Sequence, residues 1–192
     1  MTFGLFFAKN LVLLPVYKFS TIMSSKKTLI LDKEQIKQKS IRIAYQILED
    51  NFEENTLVLV GIADRGYVFA QRLQKILEEI SDKNIELLKV TMSKTSRSLK
   101  AETDHPIDNV KNKTLILVDD VLNSGRTLAY GLGVFLNVPI KKMRTAVLID
   151  RSHPKFPIVS DYYGLKLSTI LKEHVEVNLL GYEAEDDAAW LV

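Results

Sequence analysis

Leu57-Val58-Leu59-Val60-Gly61-Ile62 is an unbroken apolar run of strand length, and comparable runs recur at Leu115–Val118 and Arg144–Ile149. A strand exposed on one face would alternate apolar and polar residues. A continuous run is the pattern of a strand covered on both faces, as in a parallel sheet sandwiched between helices. Helical periods fill the intervals. Ile36, Ile41, Ile43, Ala44, Ile47 and Leu48 follow Asp32, which with Gln35 makes a capping box, and this helix is expected to end near Asn51. Phe69, Leu73, Ile76 and Leu77 place a second helix over Tyr67–Ile80, and a third is expected over Arg126–Leu136. Shorter strands are expected at Thr28–Leu31, Ile85–Met92 and Val175–Leu179. Such alternation predicts a doubly wound α/β fold, with a mainly parallel central sheet flanked by helices and right-handed crossovers.

The run at Leu115 leads into the most informative local pattern, Leu-Ile-Leu-Val-Asp-Asp-Val-Leu-Asn-Ser-Gly-Arg-Thr, ending at Thr127. A greasy strand meets two adjacent acids, Asp119 and Asp120, expected at its carboxyl end. A short loop of small and hydroxyl residues follows, and then a helix start. The helix start offers unpaired N–H groups to a phosphate. Ser124, Gly125 and Thr127 allow close backbone approach and add hydroxyl donors. The acids can accept hydrogen bonds from a ribose diol and help hold Mg²⁺, mainly through the oxygens of the ligand. An ordinary capped strand–turn–helix needs only part of this series; the full ordered run is what a sugar phosphate requires.

Gly61-Ile62-Ala63-Asp64-Arg65-Gly66 is a second strand-to-helix junction, read as a tight turn with glycine at both ends. Ser93 to Asp108 is polar, basic and nearly without core residues, the profile of a long functional or disordered loop. Beyond Ile149 the chain is expected to be irregular through Pro154, Pro157 and Gly164, and Glu183–Asp187 to be a solvated acidic tail.

At 192 residues the chain fits one domain with a sizeable core. A net charge of +2 does not point to nucleic acid on its own. The absence of cysteine excludes disulfides, thiolate metal sites and cysteine nucleophiles, and fits a reducing, cytoplasmic setting. His105, His153 and His174 have no zinc spacing. The apolar start, Met1 to Leu14, carries Lys9 within it and is too short to span a bilayer, so no membrane role is expected. Met23 opens Met-Ser-Ser-Lys-Lys, which looks like a natural start. Residues 1–26 are therefore expected to be a non-catalytic extension, with targeting as the alternative, and 183–192 a tail beyond a domain at 27–182.

The acid pair with its hydroxyl loop resembles the phosphoribosyl-pyrophosphate (PRPP) signature of the type I phosphoribosyltransferases, with Ser124 where threonine is usual. The run Val147-Leu148-Ile149-Asp150-Arg151 with His153, then Pro157-Ile158, Asp161-Tyr162 and Gly164, resembles the pyrimidine operon attenuation regulators within that family. The likeness spans roughly Lys27 to Leu179. It implies a phosphoribosyltransferase acting on uracil, giving uridine monophosphate and pyrophosphate, with Mg²⁺ as cofactor. Asp119, Asp120 and Arg65 are then the catalytic set. Asn123, Ser124, Gly125, Arg126 and Thr127 take the 5′-phosphate, while Ala63, Asp64, Arg65 and Gly66 take the pyrophosphate. Lys94, Arg97 and Lys100 lie on a flexible loop that closes over PRPP. A hood over 150–180 meets the base through Asp150, Arg151, His174 and Val175. The family commonly has threonine at Asp64 and arginines at Pro154 and Val159. Two further readings stay open: an RNA-binding regulator that senses nucleotides at the PRPP site, using Lys37, Lys39, Arg42, Lys111, Lys113, Lys141, Lys142 and Arg144, and a transferase for a purine base. The resemblance also implies a homodimer or higher homo-oligomer, whose small-molecule partners are PRPP, a nucleobase and a nucleoside monophosphate.

Overall fold

The computed structural model describes residues 27–94, 99–153, 155–168, 173–182 and 184–192, leaving the 1–26 extension outside the described residues. The elements are β1 (Thr28–Leu31), α1 (Lys33–Asp50), β2 (Thr56–Ile62), α2 (Ala63–Ile80), β3 (Asn84–Lys94), β4 (Leu99–Thr103), a 3₁₀ turn (Ile107–Val110), β5 (Thr114–Leu122), α3 (Arg126–Gly133), β6 (Lys142–Asp150), β7 (Tyr162–Lys166), β8 (Val175–Asn178) and β9 (Ala188–Leu191). Six strands form the central sheet in the order β4-β3-β2-β5-β6-β7. All neighbours in it are parallel except β3 with β4. A smaller antiparallel sheet, β1-β9-β8, stands apart.

The continuous apolar runs fill both faces. Leu57 and Leu59 of β2 and Ile116 and Val118 of β5 join α1 and α2 in one core. Val58, Val60, Leu115 and Leu117 join Leu128 of α3 and Phe135 in the other. Period-2 alternation therefore exists in these strands, but both faces are oily, so polarity cannot reveal it. Asp32 caps α1 as its spacing predicts: its Oδ1 accepts from the Gln35 amide at 2.8 Å, and the Asp32 amide in turn donates to Gln35 Oε1 at 3.0 Å.

Six sequence expectations are corrected. Strand β5 does not stop before the acids; it runs through Asp119 and Asp120 to Leu122, because Val121 and Leu122 keep pairing with Ile149 and Asp150 of β6. The junction after Ile62 is no loop, since α2 begins at Ala63. The corner is turned by Ala63 itself, at φ 54°. That is an uncommon backbone state for a residue with a side chain, of the kind that collects at functional sites. Within the polar stretch from Ser93 to Asp108, the described residues form no plain loop but the end of β3, its antiparallel partner β4 and the start of the 3₁₀ turn. Helix α3 ends at Gly133, short of Leu136.

The fifth concerns the region after Ile149. Residues 162–166 are a parallel edge strand of the central sheet, while 175–178 belong to the small sheet. The strands described between 150 and 180 thus belong to two different sheets. Nor is the acidic tail simply solvated. Asp187 makes a two-pronged pair with Arg72 at 2.6 and 2.9 Å, and residues 188–191 form the middle strand of the small sheet. Alanines and a lone Trp190 gave this strand too little pattern to be seen. No helix among the described residues is long and apolar enough to cross a membrane.

Candidate active site

One cavity of about 340 Å³ gathers Ala63, Asp64, Arg65 and Gly66 from the first turn of α2, Asp119 and Asp120 from β5, and Thr127 from α3. Residues expected from two separate stretches of sequence thus face one space, at the carboxyl ends of adjacent parallel strands, where open α/β sheets bind their ligands. Ile62, Val121 and Tyr182 complete its lining. Tyr182 carried no sequence signal; the chain reversal that pairs it with Leu179 delivers it there.

Glycine is what lets these elements meet. A Cβ on Gly66 would lie 2.7 Å from the Val118 carbonyl oxygen and 3.0 Å from the Asp119 Cα. A Cβ on Gly61 would lie 2.4 Å from the Tyr67 Cα. The entrance of α2 therefore rests on β5 at the acid pair, and only a residue without a side chain permits that approach.

The two acids are not equivalent. Asp119 is buried and its Oδ1 accepts from the Asp120 amide at 2.9 Å. Burial first, and the neighbouring Asp120 charge second, push its carboxyl well above the usual range. Asp120 accepts from the Val121 amide at 2.9 Å and stands 4.0 Å from Arg65 Nη1. Two adjacent carboxylates lining a cavity suit Mg²⁺, which takes few protein oxygens and completes its shell with ligand oxygens and water. A cation there would also relieve the repulsion that Asp119 shows. Among the described residues no group of three or more His, Cys, Asp or Glu forms a further metal cluster.

The loop between β5 and α3 is shaped for its place. Gly125 caps α3 in the left-handed region at φ 75°. The Ser124 carbonyl accepts from the Lys155 and Phe156 amides at 2.8 and 3.1 Å, and Ser124 Oγ sits 3.4 Å from the Arg126 amide. Arg126 lies over the Tyr130 ring at 5.6 Å. Asn123 Oδ1 accepts from Arg151 Nη1 at 3.0 Å.

The expected base-binding residues are placed differently from the acid pair. Asp150 is buried and accepts from the Ser152 amide at 2.8 Å and Ser160 Oγ at 2.6 Å. Arg151 is buried and joins Asn123 to the Glu173 carbonyl. Both therefore brace the loops around the site. Val175 opens β8 of the small sheet and pairs with Leu191, and His174 just before it exchanges backbone hydrogen bonds with Val192. Lys94 ends β3 and Lys100 lies in β4, whereas Arg97 falls outside the described residues. Of the basic residues considered for RNA, Lys111 pairs with Asp108, Lys113 with Glu86, Lys141 with Glu54, and Lys142 and Arg144 with Asp50.

A sequence profile of the phosphoribosyl transferase domain matches residues 27–182. The chain belongs to the type I phosphoribosyltransferase family. Among curated relatives, this phosphoribosyltransferase is 38% identical to the bifunctional protein PyrR of Clostridium acetobutylicum over 168 residues, 83% of this chain and 94% of the relative. It is 36% identical to that of Bacillus cereus strain AH820 over 172 residues, 84% and 95% of the two chains. Its fold is similar to a hypoxanthine-guanine phosphoribosyltransferase from Bacillus anthracis, with TM-score 0.67 and 22% identity over 85% of this chain and 97% of that one. It is also similar to the hypoxanthine phosphoribosyltransferase of Trypanosoma cruzi, with TM-score 0.69 and 17% identity over 85% and 94%.

Proposed function

We propose that this phosphoribosyltransferase moves the 5-phosphoribosyl group of PRPP onto N1 of uracil, giving uridine monophosphate and pyrophosphate. The observation that carries the reading is the cavity itself, where Asp119 and Asp120 face Arg65 and Thr127. Asp119 and Asp120 accept hydrogen bonds from the ribose hydroxyls. Asp120, which lines the cavity, stabilises positive charge on the ribose as the C1–O bond breaks and the N1–C1 bond forms. The 123–127 loop and the start of α3 receive the 5′-phosphate. Arg65 and the first turn of α2 hold the leaving pyrophosphate. Asp119 and Asp120 would hold Mg²⁺ brought with the donor, and the ion would supply neutralisation of the phosphate charge. The protein's share is positioning and charge stabilisation; no covalent nucleophile is required.

Uracil as acceptor is supported by the likeness of residues 147–164 to the attenuation regulators and by the PyrR names of the sequence relatives. The same likeness, with the word bifunctional in those names, also favours a second reading, a regulator that binds pyrimidine leader RNA. The ion pairs made by Lys111, Lys113, Lys141, Lys142 and Arg144 leave less free charge for it. A thermal-shift screen of nucleobases with PRPP and Mg²⁺ tests the acceptor, because a base that binds the complex raises its melting temperature. Uracil is expected to raise it and to yield uridine monophosphate. Stabilisation by hypoxanthine or guanine, and not by uracil, would replace the acceptor. A salt-sensitive gel shift with leader RNA tests the second reading.

A further inference from the structure

Two cations approach the cavity, and each is held by an acid that lines it. Arg65 stands loosely beside Asp120 at 4.0 Å. Lys89 reaches Asp64 Oδ1 at 2.7 Å. Lys89 sits on β3 opposite Gly61 of β2. Its neighbours Leu88 and Val90 point into the core beneath α3, so Lys89 projects to the other face, toward α2. There its ammonium lies 5.4 Å from the centre of the Tyr67 ring. The ring and the strand aim the ammonium at the first turn of α2, where Asp64 lines the cavity.

An acid there is an odd choice for a pocket that takes anions. The pair is also easily exchanged, since the Lys89 and Asp64 side chains are 28% and 54% exposed. We propose that Lys89 is a further pyrophosphate-binding residue of this site, held ready by Asp64, which occupies its ammonium until the diphosphate of the incoming donor displaces it. The proposal rests on the phosphoribosyl-transfer reading. It makes Asp64 a built-in competitor that weakens diphosphate binding, and Lys89 a direct contact and not merely a neutraliser of Asp64.

Calorimetric titration of magnesium pyrophosphate into the wild type, Asp64→Asn, Lys89→Met and the double variant separates these roles. Removing the competitor is expected to tighten binding roughly three- to fivefold. Lys89→Met is expected to weaken it about tenfold, and to do so in the Asp64→Asn background as well. A Lys89→Met effect that vanishes once Asp64 is gone would reduce Lys89 to a neutraliser and overturn the proposal. So would an Asp64→Asn protein that binds no more tightly than the wild type. Binding by the wild type with a flat mutant cycle sinks this proposal alone. No binding by any of the four proteins sinks the phosphoribosyl-transfer reading with it. Both side chains are exposed enough for the variants to fold, and unchanged melting temperatures check that.

Discussion

The two ends of the central sheet are built from the same chemical groups and treat them in opposite ways. At the amino ends of β6 and β7, Asp50 accepts from the Tyr162 hydroxyl at 2.5 Å, Arg144 Nε at 3.1 Å and Lys142 Nζ at 3.3 Å. Asp161 bonds the amide and hydroxyl of Thr145 at 2.8 and 2.9 Å. The Tyr162 hydrogen bond leads in holding the Asp50 carboxyl below its ordinary range. At the carboxyl ends, Asp119 is buried beside a second acid and its carboxyl is driven the other way. One end satisfies its charges internally. The other keeps charge frustrated, strains Ala63 and strips two glycines of side chains, and that is the end where a ligand can repay the imbalance.

The sharpest way to break this contrast is to neutralise an acid at each end. Asp120→Asn keeps the shape of the site but removes the charge that, in the proposed transfer to uracil, stabilises the ribose as it becomes cationic. Turnover to uridine monophosphate is expected to fall at least ~10²-fold, with the fold intact. An unchanged rate would take Asp120 out of the chemistry and leave the frustrated end without a function.

Next in size is Gly61→Ala. The added methyl would press on the Tyr67 backbone at 2.4 Å, and neither β2 nor α2 can yield without shifting the α2 entrance. A loss of about 1–3 kcal/mol in urea denaturation is expected, the usual range for overpacking, together with weaker PRPP binding. A variant as stable as the wild type would show that the corner is not tightly built.

Tyr162→Phe probes the satisfied end. It deletes the hydroxyl that donates to Asp50 and leaves the ring in the core. A cost of about 1–2 kcal/mol is expected, with the rate unchanged because the residue stands at the opposite end from the acid pair. The sign of its pH dependence follows from Asp50, whose folded pKa is lowered. Its contribution is present above the unfolded carboxylate pKa and is lost as pH falls through the folded one. Melting temperatures of wild type and variant should therefore stay apart through the neutral and mildly acid range and converge only once the pH falls below the ordinary carboxylate range.

How far each end could be read from sequence follows the same division. The acid pair with its hydroxyl loop, and Arg65 at another junction, could be picked out because each lies in a short run of consecutive residues where a strand meets a helix, a local pattern. The strands β2, β5 and β6 were legible because burial on both faces leaves an unmistakable apolar run. The Asp50–Tyr162–Arg144 network was not, since its members are 112 and 94 residues from Asp50 in the chain and only the crossover topology joins them. Strand β7 was hidden for a related reason. Tyr-Tyr-Gly-Leu-Lys at a sheet edge is half exposed and borrows its register from β6. Gly66 looked like a loop residue because sequence shows that a side chain is missing, not which backbone fills the gap. The bracing roles of Asp150 and Arg151 were concealed by partners at Ser160, Asn123 and Glu173.

The smallest expected effect is the most direct test of frustration. In the folded protein the Asp119 carboxyl titrates above its unfolded value, so between those two values the native state binds the extra proton. Stability attributable to this group therefore falls as pH rises from the unfolded pKa through the folded one, and stays low above it. Asp119→Asn keeps an oxygen for the Asp120 amide but cannot ionise. The ligand-free variant is expected to melt higher than the wild type at neutral pH, by about 2–4 °C for each kcal/mol recovered. The gap should close as the pH is lowered toward the unfolded carboxylate range, where Asp119 is neutral in both states. At the other end of the sheet, Asp50→Asn should do the reverse, melting lower than the wild type at neutral pH. If both variants shift the melting temperature in the same direction at neutral pH, the two ends do not differ in kind, and the acid pair is an ordinary buried carboxylate that has found enough partners.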